Sequence, residues 1–500
     1  SPQDVLRYHQ VHPVCNPFPR NQPYPNRVRK LLILFSLLVF VACNAYRPLV
    51  NVEAASDGDW KTRVLPASPQ DTTGDPVAGF DYLIHGDYIG SGVPLSIMQK
   101  AAPRMPESQL EPYPRNELNQ GIPYMMTAFV APNGAKMANG NCFTCHAGKV
   151  NGELVVGLGD SFSDFENSMV FGGTMMRLGM GLLYNKKKDL EPEAFADFGK
   201  YFKAMAPKIK TTQPGANPAF RLAEACMMHR NPEDLTYSKD PLYEMWDYNI
   251  STDTPPLWHV KKKSTLYYNG IGRGSMPKLL LQASVLGVPD SSHSRKSVEA
   301  FNDVYAWLLT LEAPAYPGEI DTDLAATGKP LFTEHCSGCH GTYSDAGDTY
   351  PNKVIHLDLI GTDRLYADYI RSSGIVDWYN ASWFATSEPK SAFVPTDGYV
   401  APPLDGVWAS APYFHNGSVP TIYEVLNSKA RPDVWARSGS SKDYDWEKVG
   451  WNYTTNPKGK NYRKWTFDTT VPGFGNGGHT FGDKLTEEER WAVVEYLKAL

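Results

Sequence analysis

Two short runs hold the residues whose spacing could do chemistry: Cys142-Phe143-Thr144-Cys145-His146 and Cys336-Ser337-Gly338-Cys339-His340. Both read C-x-x-C-H. That spacing sets two thiols to add to the vinyl groups on one edge of a porphyrin, with the adjacent imidazole reaching iron from the same side. The reading is two covalent haems c, the first on Cys142 and Cys145 with His146 as iron ligand, the second on Cys336 and Cys339 with His340. A zinc site would need paired CxxC groups and a closed set of four ligands. Of the seven cysteines, Cys15 and Cys43 lie near the start, and Cys226 alone remains in the body of the chain outside the two runs. Without a partner for an intramolecular disulfide, Cys226 is expected to be a buried, small apolar residue.

An internal repeat indicates how these motifs are held. Thr254-Pro255-Pro256-Leu257 through Asn269-Gly270 aligns without a gap on Ala401-Pro402-Pro403-Leu404 through Asn416-Gly417, sharing Val260 with Val407 and an aromatic residue at Tyr267 and Phe414. Each copy follows its own CxxCH motif, so the chain is read as two related haem units in tandem. Each copy also precedes a closing helix. Phe301, Val304, Tyr305 and Leu308 share a face in the first half. In the second, Thr486 and Glu489 form a capping box ahead of Val493, Leu497 and Leu500. Leu324 to His335 reads as the helix leading into the second motif. The expected fold is mainly α, two tandem cytochrome c-like domains with extensive loops and a helical insert in the first. Residues 80–312 and 324–500 are the domains, 46–79 and 313–323 the linkers, and 1–45 an upstream remnant plus signal peptide.

The copies differ at the residue before Asn-Gly, which is Tyr268 in the first and His415 in the second. An imidazole opposite His340 makes the second iron six-coordinate, low-spin and suited to passing electrons. With Tyr268 in the equivalent place, the first iron has a weak phenolate ligand or an open position where peroxide or dioxygen can bind. A packing role for the Tyr268 ring stands beside that reading. More chain separates His146 from Tyr268 than His340 from His415. The excess includes the Met-rich run Val170 to Leu183 and the helical stretch Glu191 to Ala206, which reads as plain core or as an apolar cover over an open haem.

The formal net charge of −6, with both signs mixed along the chain, gives no basic excess for nucleic acid. The apolar run Leu31 to Cys43, preceded by Arg27, Arg29 and Lys30, has the flank and length of a signal peptide. The first Met is Met98, so translation is expected to start at a non-Met codon, with Val28 the best candidate. Cleavage near Ala45 and lipidation at Cys43 both stay open. Either implies export, to the periplasm, to an outer-membrane lipid anchor or to the outside, in keeping with covalent haem attachment.

The segment Pro402 to Thr421, with Asp445 to Gly450 and the ending Gly475-Asn476-Gly477-Gly478-His479, resembles the rubber-oxygenase-like dihaem cytochromes, relatives of the bacterial dihaem cytochrome c peroxidases. The likeness runs from about residue 80 to 500. It implies a C-terminal haem held by two histidines and an N-terminal haem where oxygen or peroxide reacts. Carried over, His340 and His415 ligate the second haem and His146 is the proximal ligand of the first. Trp258, Tyr267 and Tyr268 are candidates to line the first. The function expected is a dihaem oxidoreductase, taking electrons from a redox partner protein and acting on a small oxidant. The rival is a non-catalytic periplasmic electron carrier.

Overall fold

In each half a helix ahead of the haem motif crosses the helix that closes the half. Pro76–His85 starts at Asp75, whose carboxylate accepts from Val77 N and Ala78 N, and Pro76 supplies a first-turn residue that needs no donor. It packs on Val298–Thr310, which buries Phe301, Val304 and Leu308. Thr322–His335 is capped in the same way by Asp321 and packs on Glu487–Lys498, where Thr486 and Glu489 complete the capping box. A glycine sits at each crossing. A Cβ on Gly79 would lie 2.0 Å from the Asp303 carbonyl oxygen, and one on Gly328 would lie 1.9 Å from that of Ala492. Any side chain there would push the helices apart.

The repeat is also a repeat of backbone. Leu266 exchanges both hydrogen bonds with Gly272, and Tyr413 does so with Val419 at the matching position. Between them the chain turns through positive φ at Tyr267 (70°) and Gly270 (62°) in one copy, and at Phe414 (71°) and Gly417 (68°) in the other. An aromatic residue held in the left-handed region is strained, and such strain persists only where the surroundings dictate it.

The computed structural model of the chain describes residues 61–500 apart from 102–114, 167–168, 247–249, 251 and 458–463. The expected signal region, with Cys15 and Cys43, lies outside the described residues. The fold is mixed rather than mainly α, because short strands stitch the halves together. Thr62–Val64 pairs with Lys353–His356, which also pairs with Gly398–Val400, and Gly272–Gly274 pairs with Ser391–Phe393. The stretch 46–79, expected as a linker, therefore contains a strand of the second half's sheet and the start of the first helix. The described residues belong to one compact unit. The first core draws on Tyr366, Trp378 and Tyr379 from two unanticipated helices, Leu365–Ser372 and Ile375–Ala381, while the second includes Val150, Leu158 and Trp258. The segment around Ala313 is clamped as well: Trp408 Nε1 donates to the Pro314 carbonyl and Tyr316 OH to that of Trp446. Among the described residues no helix is long and apolar enough to cross a membrane.

Candidate haem sites

Both motifs wind into one turn. The Cys142 carbonyl accepts from Cys145 N and His146 N, and the Cys336 carbonyl from Cys339 N and His340 N. The first turn comes off the strand Lys136–Gly140 and is capped by the Asn141 side chain, which accepts from Phe143 N. The second continues the helix Thr322–His335 through a bond from Cys336 N to the Phe332 carbonyl. Burial pushes the thiols of Cys145 and Cys336 up to about 11, which keeps both protonated near neutrality. Among the described residues no group of three or more His, Cys, Asp or Glu side chains converges as the ligand set of a bare metal ion.

His340 Nδ1 donates to the Pro402 carbonyl at 2.8 Å, leaving Nε2 as the free lone pair. It faces a cavity of about 350 Å³ walled by Phe332, Ile355, Leu404, Phe414 and Ile422, with Cys336 and Cys339 at one edge. Across it stands His479, its ring centre 6.2 Å from that of His340. Two metal–imidazole bonds of about 2 Å, plus roughly 1 Å from each nitrogen to its ring centre, would put two axial imidazoles roughly 6 Å apart. Burial depresses His340 below the ordinary histidine range and His479 to about 3, the neighbouring His340 adding to the effect on His479. Both rings are therefore neutral, the form that ligates metal. Lys263 lines the same cavity without an ion pair to a described carboxylate. Burial lowers its ammonium to about 8. Apolar walls, two neutral imidazoles with ring centres 6.2 Å apart and a cation for a propionate together fit a haem.

His415 was expected opposite His340, and His415 and His479 both line the cavity that His340 faces. Phe414 lies against His479, with ring centres 5.8 Å apart, and His415 stacks on Tyr399 at 4.2 Å. Its Nε2 is buried without a partner, and burial holds the ring to about 3. Tyr268, the matching residue of the first copy, lies 6.1 Å from His415 and lines the cavity of the second site. The structure thus brings Tyr268 and His415 to each other. The first-copy counterpart of Phe414 is Tyr267, whose hydroxyl receives a bond from Gln282 Nε2, while Gln282 Oε1 is buried without a partner. Burial raises the Tyr267 phenol above its ordinary range.

At the first motif, His146 is held near 4 by burial. It faces the Pro255 carbonyl, the repeat counterpart of Pro402, which raises its proton affinity although Nδ1 makes no full hydrogen bond. Tyr88 OH accepts from Cys142 N at 3.0 Å. Trp258, a candidate lining residue, is instead wholly buried in the second core, donating from Nε1 to the Asp405 carbonyl. Cys226 is fully buried, as expected. His479 closes the glycine-rich ending that carries part of the resemblance, but the sequence did not single it out as a candidate ligand. Gly478, at φ 72°, presses so closely on Gly361 that a Cβ would lie 2.1 Å from its carbonyl carbon, and this seats His479.

Residues 398–436 match the family described as RoxA-like, cytochrome c-like. The chain is also similar to two proteins of Sinorhizobium fredii (strain NBRC 101917 / NGR234). It is 27% identical to the uncharacterized protein y4iM over 251 residues, covering 45% of this chain and 55% of that one. It is 29% identical to the uncharacterized protein y4iJ over 258 residues, covering 38% and 41%. The chain thus matches about half the length of these relatives or less. A solved structure of hydrazine synthase from Kuenenia stuttgartiensis, pressurized with xenon, aligns over 91% of this chain and all of that one, at 12% identity. Its TM-score of 0.27 is too low to support an argument. The stretch holding Pro402 and His415 is cytochrome c-like. Such a family implies haem c and electron transfer.

Proposed function

We propose that the protein is a dihaem c-type oxidoreductase. In this reading Cys336, Cys339, His340 and His479 would hold one haem, which would supply electron transfer, and Cys142, Cys145 and His146 would hold a second, which would supply chemistry on peroxide or dioxygen. The observation that carries the reading is the asymmetry of two equivalent turns. Phe414 stands beside a histidine facing the second motif's own, whereas Tyr267 stands in the first copy with a phenol and an amide. Haem supplies one-electron chemistry at iron, and the residues set what each iron can do.

On the second side the Pro402 carbonyl keeps the proton on His340 Nδ1, so Nε2 stays a donor pair. The apolar walls keep water off, and Lys263 offers a positive charge to a carboxylate at the cavity edge. In this reading the Tyr267 hydroxyl and the Gln282 amide, hydrogen-bonded to each other in the first copy, would hold a proton or orient a small oxygen species. A redox partner protein supplies the electrons. Export is inferred from the run Leu31 to Cys43 and from covalent attachment of haem.

Absorption and EPR spectra of the oxidised holoprotein test this reading. One low-spin and one high-spin haem are expected, with two haems retained by mass after denaturation. Two fully low-spin haems would convert the reading into that of an electron carrier, and a single retained haem would end it.

A further inference from the structure

The helix Met169–Leu183 turns most of its apolar side chains outward. Gly173 and Met180 face inward, the first against the Phe202 ring, the second in a cluster with Phe129 and Phe195. Phe171, Met175, Leu178 and Leu182 recur every three or four residues on the opposite face. Phe171, Leu178 and Leu182 are 75%, 56% and 87% exposed. Gly172, Gly179 and Gly181 have no atom within 4 Å of where a Cβ would sit, so among the described residues nothing covers that side. The sequence suggested core or haem cover here, and the structure shows a seated helix with an open apolar stripe.

The helix carries no carboxylate, and Arg177 is its single charge. Beyond its end Lys186, Lys187 and Lys188 are all exposed. They make no ion pair with a described carboxylate, and the nearest acid, Asp189, is held by the Asn185 backbone N–H. An apolar stripe about 20 Å long, ending in a lysine triplet, matches a bilayer surface, with acyl chains for the stripe and anionic headgroups for the ammonium groups. A second copy of the chain would use the stripe but leave the lysines without counter-charges.

We infer that Met169–Leu183 docks this protein on an anionic phospholipid surface, the lysines 186–188 reading its charge. The inference does not depend on the haem chemistry.

Flotation of the full-length holoprotein with vesicles tests it, comparing equal parts phosphatidylcholine and phosphatidylglycerol with phosphatidylcholine alone. The wild type should float with the anionic vesicles and much less with the neutral ones. Combining Phe171→Ser, Leu178→Ser and Leu182→Ser, or Lys186→Gln, Lys187→Gln and Lys188→Gln, should cut the floated fraction about tenfold without altering the haem spectra. Hydrogen exchange over 169–183 should slow when anionic vesicles are added. Four results would overturn the inference. The wild type does not float. The serine variant floats equally, which points to the apolar run at Leu31 to Cys43. Exchange over 169–183 ignores bound vesicles. Or light scattering shows a dimer that the serine variant abolishes, which makes the stripe a copy-to-copy contact.

Discussion

The two motif surroundings share a backbone and differ in what it presents. Both use a glycine at the helix crossing, a proline carbonyl facing the motif histidine, and a turn with an aromatic residue at φ near 70°. The second places Phe414 beside His479. The first places Tyr267 on Gln282. Under the proposed function, two irons would be given different work by exchanging a few side chains on a duplicated frame. The copies are also not independent, because Trp258 Nε1 and His259 Nε2 of the first both donate to the Asp405 carbonyl of the second, at 2.8 and 3.1 Å.

The hardest blow to the comparison would fall on His479. His479→Ala should convert the second haem from low-spin to high-spin with new cyanide or carbon monoxide binding, while His415→Ala leaves it low-spin. A spin change in His415→Ala with none in His479→Ala would restore the assignment read from the repeat alone. The next largest effect tests the shared frame. Gly328→Val forces a side chain against the Ala492 carbonyl and should cost about 3 kcal/mol or prevent folding, and Gly79→Val should do the same at Asp303. Thermal unfolding of both variants at wild-type Tm would remove the crossings as a common support.

Local pattern was legible in the sequence. The CxxCH runs, the gapless repeat, the Thr486–Glu489 capping box and the buried face of Phe301, Val304 and Leu308 are all short-range signals, and all appear in the structure. What pattern did not show was tertiary placement. The repeat aligns Tyr268 with His415, and both line the second cavity, but it gives no sign that Phe414 lies against a histidine from a remote loop. His479 belongs to a glycine-rich loop remote from the repeat, brought near by the contact of Gly478 with Gly361. Helix Met169–Leu183 has core composition, yet much of that composition faces outward, which periodicity alone cannot separate from burial.

A smaller effect concerns His259, which occupies the place of Gly406 in the second copy. Burial depresses its pKa to about 3, from an ordinary 6.5, and the Asp405 carbonyl only partly offsets this. A depressed folded-state value means that its contribution is present above the unfolded value and is lost as pH falls from 6.5 towards 3. Between about pH 7 and about pH 5 the loss is about 2 kcal/mol. His259→Gln keeps a donor for the Asp405 carbonyl and does not titrate. Denaturant unfolding of this variant should show a stability loss over that interval smaller than wild type by about that amount. Parallel profiles would mean that the inter-copy clamp does not sense pH.

The smallest expected effect separates Tyr267 from Tyr268 and so decides which residue of the first copy faces its haem. Tyr267→Phe removes the hydroxyl that receives the Gln282 amide and leaves that buried side chain with neither its nitrogen nor its oxygen partnered. A lost side-chain hydrogen bond of this kind costs about 1 kcal/mol. The more telling readout is the first haem: its affinity for cyanide or its reaction with peroxide should change, with the second haem's spectrum intact. Tyr268→Phe should leave first-haem ligand binding as it was, because that ring lies by His415 on the second cavity. If Tyr268→Phe alters the first haem and Tyr267→Phe does not, the equivalence of Tyr267 with Phe414 fails. The two sites would then differ in backbone as well as in side chains.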